Sequence, residues 1–575
     1  TGENWERGPY YLDGLLPLSW YLKDKKHWEL ACRFVEWTLG STDETGNFGP
    51  EASKQDYWSR FVMLKVLIQY YEIKKDARVL ELLKKYFDYL NKEIPKRPMI
   101  QWSKARIGDL LYCIHWYCEQ TGETQGELVA ELRKQALDWN GVFKEFPFTR
   151  PSEYYYNWKS LLEHYQKPFV DDIMKYHTNH IVNLTMGFKY PAMLSYFFDD
   201  MDFEKITEMG LRSAHRYHGV VSGVVNGDEH LAGNNPSRGS ELCSVVEYMF
   251  SLQTMAEAFG TGRYTDQIEK LAYNALPATI TEDFMAHQYL QQANQVLVSK
   301  AKRDWFNTND ESNLFGLEPN FGCCTANMHQ GWPKLLKSMW LKEDENTLIS
   351  MVHGPSSIVT ELAGNRVSIS EETEYPFKNR ICYRVTEGNA PSAVFRIWIP
   401  EWCKDFRVCI DGAWKNRERT EDYLTVHGLH AGSEMTVEFS MDIRKSFWYK
   451  DSMAIERGPL VFALDMKEQW KKIREVAGVS DFEIYPESPW NYAIPKNGEV
   501  EVEEKAVSDV PFSKNNPPIV FNVTGKCVES WKIENNSAGD LPQSPVKAEG
   551  EAEKIRLIPF GCTKLRISQF PYYED

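Results

Sequence analysis

The chain has 575 residues, of which 42% are hydrophobic, 14% aromatic and 26% charged, with 19 Trp and 30 Tyr. Such a composition buries a large core and excludes a disordered chain, and no run of 18 apolar residues is present to span a membrane. With 66 Lys+Arg against 82 Asp+Glu, the formal charge of −16 argues against nucleic acid and anionic lipid as general partners.

Residues 1 to about 345 read as helical. Tyr57–Tyr71 carries apolar residues at three- and four-residue spacing, as an amphipathic helix does. Similar patterns recur around 25–39, 78–91, 105–120, 127–139, 245–259, 264–275 and 330–341. Breaks fall at clusters such as Thr42-Asp43-Glu44-Thr45-Gly46-Asn47. Many helices with short links predict antiparallel helical hairpins, hence an α-barrel with a funnel at one end. Aromatic faces and carboxylates lining a funnel suit sugars.

Near residue 348 the period changes from helical to two. Arg366–Ser370, Val394–Ile399, Phe406–Ile410 and Met435–Ser440 alternate and end at Gly, Asn, Asp or Pro, which predicts a β-sandwich. The stretch 495–552 is rich in Pro, Asn, Lys, Glu and Ser and reads as long loops. Lys554–Pro559 reads as a closing strand. The expected division is a helical unit at 1–347, a β-sandwich at 348–465 and a second β-rich region at 466–575 packed on the first.

The eleven cysteines lack the density of a disulfide scaffold. The chain opens at Thr1 without a charged-then-apolar stretch, so a signal peptide is expected to be absent or already removed, and the compartment to be periplasmic or secreted if a leader was removed and cytoplasmic otherwise. Glu241-Leu242-Cys243 lies at a loop-to-helix junction. Cys323-Cys324 follows Glu318-Pro319-Asn320-Phe321-Gly322 just before a helix. Three thiolates and one carboxylate form a plausible tetrahedral zinc set. The alternative is core packing for Cys243 and free thiols or a vicinal disulfide for the pair. Asp228-Glu229 in a Gly-flanked loop offers a general acid/base, against the plainer reading of a solvated acidic turn. His177 and His180, at i and i+3, offer a metal pair or, with Asn179 and Asn183, hydroxyl-binding groups; satisfied core residues are the alternative.

These residues carry a resemblance. Trp5-Glu6-Arg7-Gly8-Pro9-Tyr10, the Tyr57–Lys65 helix, Asp228-Glu229-His230-Leu231, Glu241-x-Cys243, Phe321-Gly322-Cys323-Cys324, Ile399-Pro400-Glu401-Trp402-Cys403, Arg457-Gly458-Pro459-Leu460 and Ile558–Ile567 resemble glycoside hydrolase family 127 over nearly the whole chain. The resemblance implies an (α/α)6 barrel followed by β-sandwich domains. It implies a retaining β-L-arabinofuranosidase acting on a glycan or oligosaccharide. Zinc is then held by Glu241, Cys243, Cys323 and Cys324. Cys323 is the nucleophile and Glu229 the acid/base, with Asp228 a competitor because the spacing to Glu241 is short. His180, Asn183, His287, Tyr289 and Gln295 are expected to contact sugar, with Trp58 and Arg60 on the barrel floor for stacking and anion contact. Family members usually carry a short segment ahead of Trp5, so a trimmed start or a missing edge of the β unit is expected. Two further readings stand beside this one: hydrolysis of an acidic or branched deoxypentose of complex pectin, with Arg60 or His180 on a carboxylate, and a carbohydrate-binding protein with a structural zinc.

The chemistry stands without the resemblance. Most retaining glycosidases use two carboxyl groups ~5–5.5 Å apart. Here a thiolate replaces one of them, and a metal forces the sulfur into that form.

Overall fold

The computed structural model describes residues 4–156, 171–410 and 412–574. Its helical part is two concentric layers. The inner layer comprises Arg7–Tyr21, Trp58–Lys74, Ile107–Thr121, the broken pair Ile181–Gly187 and Lys189–Ser195, Leu242–Phe259 and Gly331–Ser338. Each rod packs on the next and the last packs on the first, so six rods close a ring. A rod enclosed on all sides must be apolar nearly all round. Trp58–Lys74 meets that demand, with every residue from Trp58 to Ile68 buried.

The outer layer is amphipathic, as a surface layer should be. Lys25–Gly40, Ala77–Glu93, Phe203–His218 and Arg263–Lys270 pack against the ring on one face, and Gly126–Gln135 packs on Ala77–Glu93. Asp24, Asp76 and Asp202 cap three of them by accepting backbone N–H groups of their first turns. The sequence pattern did not single out Arg7–Tyr21, Lys189–Ser195 or Phe203–His218. The first is enclosed and interrupted by Gly14 and Pro17, so its periodicity is weak.

Each inner rod contributes one charged side chain to a buried layer: Asp13, Lys65, Asp109, Lys189, Glu247 and Lys334. The signs alternate around the ring. Lys65 Nζ lies 3.4 Å from Asp13 and 2.8 Å from Asp109. Lys189 Nζ lies 2.5 Å from Asp109 and 4.0 Å from Glu247. Lys334 Nζ lies 2.7 Å from Asp13 and donates to Gln330, whose amide donates to Glu247 at 3.0 Å. The Phe250 ring lies 4.9, 4.8 and 4.2 Å from the three ammonium groups.

The β part follows the expected change of period. A six-stranded antiparallel sheet runs in the order 413–418, 405–410, 434–439, 380–387, 365–373, 356–362. A four-stranded sheet runs 423–430, 389–398, 347–350, 340–342, with 347–350 parallel to 389–398. Strand pairing therefore begins at Trp340, ahead of position 348. An eight-stranded sheet built from 443–573 completes the chain. The expectation of loops over 495–552 is corrected there: Ile519–Cys527 is an inner strand paired with Glu553–Pro559. Ile519, Phe521 and Val523 are buried, a short alternation that the polar average of the stretch conceals. The end of the chain returns to the barrel, where Arg566 and Gln295 exchange backbone hydrogen bonds of 2.7 and 2.9 Å.

Candidate active site and metal centre

The metal candidates converge from two helix starts. Glu241 is the residue before Leu242–Phe259, which places Cys243 in its first turn. Cys323 and Cys324 open the helix Cys323–Asn327. Ser240–Glu241 pairs with Leu290–Gln291, and this draws Tyr289 alongside. One atom from each of Glu241, Cys243, Cys323 and Cys324 falls within a sphere where all lie within 4.8 Å of one another. Cys324 Sγ lies 3.2 Å from Cys243 Sγ and 3.8 Å from Glu241 Oε1, and it accepts the Cys243 N–H at 3.3 Å. Glu241 Oε2 is buried without a hydrogen-bond partner among the described residues. Three sulfurs, a carboxylate and an orphaned oxygen fit a tetrahedral metal of the zinc type.

The electrostatics agree. Burial, then the neighbouring Glu229 and Cys323, push the Glu241 carboxyl well above its usual range. Burial raises Cys243 and Cys324 likewise. Cys323 goes the other way: sulfhydryl donation from Cys243 and Cys324, helped by the Arg106 guanidinium, holds it well below a free thiol. Of these three thiols Cys323 alone is partly exposed.

Cys323 opens onto a cavity of about 590 Å³ whose walls include Tyr10, Trp102, Arg106, His180, Glu229 and Tyr289. Glu229 accepts the Tyr289 hydroxyl at 2.5 Å and lies 3.1 Å from His180 Nε2. Thus Cys323, Glu229, Glu241, Cys243, His180 and Tyr289 are brought together as expected.

Other expected contacts are not brought to the cavity wall. Asp228 turns away from it and is fully buried against Arg238, with Nε 2.9 Å and Nη2 2.7 Å from Oδ2. Burial pushes its carboxyl up to about 7 against the pull of Arg238. Asn183 is spent on Arg106 Nε at 2.7 Å and on His177 at 3.1 Å. His177 ends one helix and His180 precedes the next, so they form no i, i+3 metal pair. His287 lies behind the cysteine pair, 3.0 Å from the Thr325 hydroxyl. Gln295 bonds Gln288 at 3.2 Å and the Lys564 carbonyl at 2.6 Å. Trp58 is fully buried and donates to Glu6 at 2.6 Å. Arg60 is corrected most: its guanidinium donates to the Phe48 carbonyl at 3.1 Å and to Ser53, and it faces a separate apolar groove. Residues two apart on a helix point to different sides, so Arg60 cannot share the side of Trp58.

Sequence reasoning missed Arg106. Its guanidinium lies 4.6 Å from each of the Trp58 and Trp102 rings, 3.2 Å from the Tyr10 hydroxyl and 3.4 Å from Glu6. Its only signal is a cation at a helix break.

Comparison with known proteins names this arrangement. A family model described as the catalytic domain of GH127 beta-L-arabinofuranosidase matches residues 21–337, and the GH127 middle domain matches 347–443. A solved glycoside hydrolase superposes with TM-score 0.71 at 14% identity, covering 99% of this chain and 92% of its own. The GH127 beta-L-arabinofuranosidase Ara127N of Geobacillus stearothermophilus T6 gives 0.66 at 16% identity, covering 99% and 89%. The GH127 beta-arabinofuranosidase BT3674 gives 0.68 at 14%, covering 100% and 89%. No curated protein matches the sequence. The chain belongs to glycoside hydrolase family 127 and is a glycoside hydrolase.

Proposed function

From that membership we propose that the chain is a retaining exo-glycosidase that releases a terminal L-arabinofuranose, or a related pentofuranose, from plant cell-wall glycans. The observation that carries this reading is a single cavity shared by a partly exposed, acidified cysteine and a carboxyl group: Cys323 and Glu229. Glu241, Cys243, Cys323 and Cys324 would hold zinc, and the cation supplied there keeps sulfur in the thiolate form.

The residues divide the work. Glu229 gives its proton to the glycosidic oxygen as the C1–O bond breaks, and Cys323 Sγ forms a bond to C1. The leaving group departs with that proton. Glu229, now a carboxylate, takes a proton from water while the water oxygen bonds C1 and the C–S bond breaks. Two inversions give net retention. Tyr289 and His180 hold the Glu229 carboxyl by its two oxygens. Trp102 and Tyr10 line the same cavity and give it aromatic surface of the kind that packs on sugars.

A panel of aryl α- and β-furanosides and pectic oligosaccharides, assayed with and without chelator and thiol reductant, tests the proposal. Turnover of a β-L-arabinofuranoside that chelator abolishes and zinc restores is expected. Turnover unaffected by complete metal removal overturns the metal role, and inversion at C1 overturns the cysteine role. Arg106 favours a second reading, an acidic deoxypentose, because it places at the cavity wall the cation once expected from Arg60.

A further inference from the structure

Asp228 and Glu229 are adjacent acids with opposite surroundings. The side chain of Glu229 lines the cavity. The side chain of Asp228 is at 0% exposure on the other side of the loop. Glu229 also has φ +83°, a left-handed value that is strained for a non-glycine residue and persists only when its surroundings over-determine it.

The surroundings do so from both flanks. Ile181 N–H donates to the Glu229 carbonyl at 3.1 Å, and Leu231 N–H to the Asn179 carbonyl at 2.9 Å. Gly227 N–H donates to the Gly239 carbonyl at 3.0 Å. A Cβ on Gly227 would lie 2.3 Å from Ile181 Cβ, so only glycine permits this approach. A further tie, and one that reaches the residue next to Glu229, is the Asp228 side chain. Oδ2 accepts the Arg238 Nε–H at 2.9 Å and lies 2.7 Å from Nη2 in the same ion pair, and Oδ1 accepts the Phe306 N–H at 3.2 Å. Arg238 is itself held by Glu153 at 2.6 Å. Two side-chain oxygens therefore join the loop to two other segments.

We propose that Asp228 is the positioning residue for Glu229: its ion pair with Arg238 and its bond to Phe306 fix the strained backbone that aims the Glu229 carboxyl at the glycosidic oxygen. Asp228 touches no substrate and transfers no proton. This inference rests on the reading of Glu229 as proton donor.

Leaving-group dependence separates positioning from bulk structure. A dinitrophenolate leaves without a proton, whereas an alkoxide needs one. Position the acid badly, and only the alkyl glycoside suffers. Asp228→Asn, Arg238→Lys and Glu229→Gln are compared with the native enzyme on methyl and 2,4-dinitrophenyl β-L-arabinofuranosides. The reading is kcat/KM, which reports the bond-breaking step. A general acid contributes about 10²–10⁴-fold. Asp228→Asn is expected to lose on the order of 10²-fold on the methyl glycoside and less than about threefold on the dinitrophenyl glycoside. Arg238→Lys keeps the buried charge but loses the directed Nε–H bond, and should show the same selective loss at about tenfold. It decides the matter should Asp228→Asn lack a cooperative melt. Equal loss on both glycosides, or no loss on either, overturns the positioning role. Glu229→Gln tells the two ideas apart. Selective loss there with none at Asp228 sinks the inference alone; equal loss at Glu229→Gln sinks the proton-donor reading and the inference with it.

Discussion

Two sets of buried charged or ionisable groups meet on the helix Leu242–Phe259, one turn apart. Glu247 belongs to the ring Asp13–Lys65–Asp109–Lys189–Glu247–Lys334, in which signs alternate. Cys243 and the preceding Glu241 belong to the cluster at the mouth, where acid meets acid and thiol meets thiol. Burial alone would raise every carboxyl. In the ring, Lys189 and Lys65 outweigh it and hold Asp109 below the usual range, as Lys334 and Lys65 do Asp13. At the mouth nothing outweighs it, and Glu241 rises. Equal depth, opposite outcome: compensated charges make scaffold, and uncompensated ones mark a place for a cation or for chemistry.

The largest expected effect is at the mouth. Cys323→Ala should abolish turnover, by more than about 10³-fold, while circular dichroism and the melt show a folded protein. Near-normal activity removes Cys323 from the reaction. Next comes stripping the metal. A ligand present at a thousand times its Kd stabilises by about 4 kcal/mol, so chelation should lower the melting temperature clearly and zinc should restore it. An unchanged melt would show that the mouth needs no cation.

The ring should fail differently. Lys189→Met leaves Asp109 and Glu247 short of a cation and should cost about 3–5 kcal/mol in a urea melt, with or without metal. Loss under 1 kcal/mol, by contrast, would mean the ring is not the scaffold it resembles.

The subtlest contrast is in pH. Asp109 and Asp13 have folded values below their unfolded ones. Their stabilisation is present above the unfolded carboxyl range and lost as pH falls through the folded values. Glu241 is raised, so without metal its contribution is fully present below the unfolded range and is lost as pH climbs. Urea midpoints of chelated protein should therefore lose their acid slope in Asp109→Asn and their upper slope in Glu241→Gln. Retention of both slopes in both variants would break the contrast.

Much of this was legible beforehand. Three- and four-residue spacing marks Trp58–Lys74 and Leu242–Phe259, and alternation marks the sandwich. Glu241-x-Cys243 with Cys323-Cys324 offers a metal set beside core packing or a vicinal disulfide, and it is the family resemblance that favours the metal. What escaped was whatever depends on facing. Asp228 and Glu229 look interchangeable in sequence, and only the turn at Glu229 separates them. Arg60 lies two residues from Trp58 and points elsewhere. The ring left a faint trace, a lone charge inside each apolar helix such as Lys65 between Leu64 and Val66. Its meaning appears only when six helices put those charges at one height.

The ring is closed by Lys334 of the last rod on Asp13 of the first, and the thiol pair lies just ahead of that last rod. A ribosome making this chain therefore releases Cys323 and Cys324 only after five rods have emerged. Asn327, three residues beyond the pair, then reaches Glu247 at 3.2 Å. The nascent protein thus lacks the complete set of thiols until the segment just ahead of its closing rod has emerged.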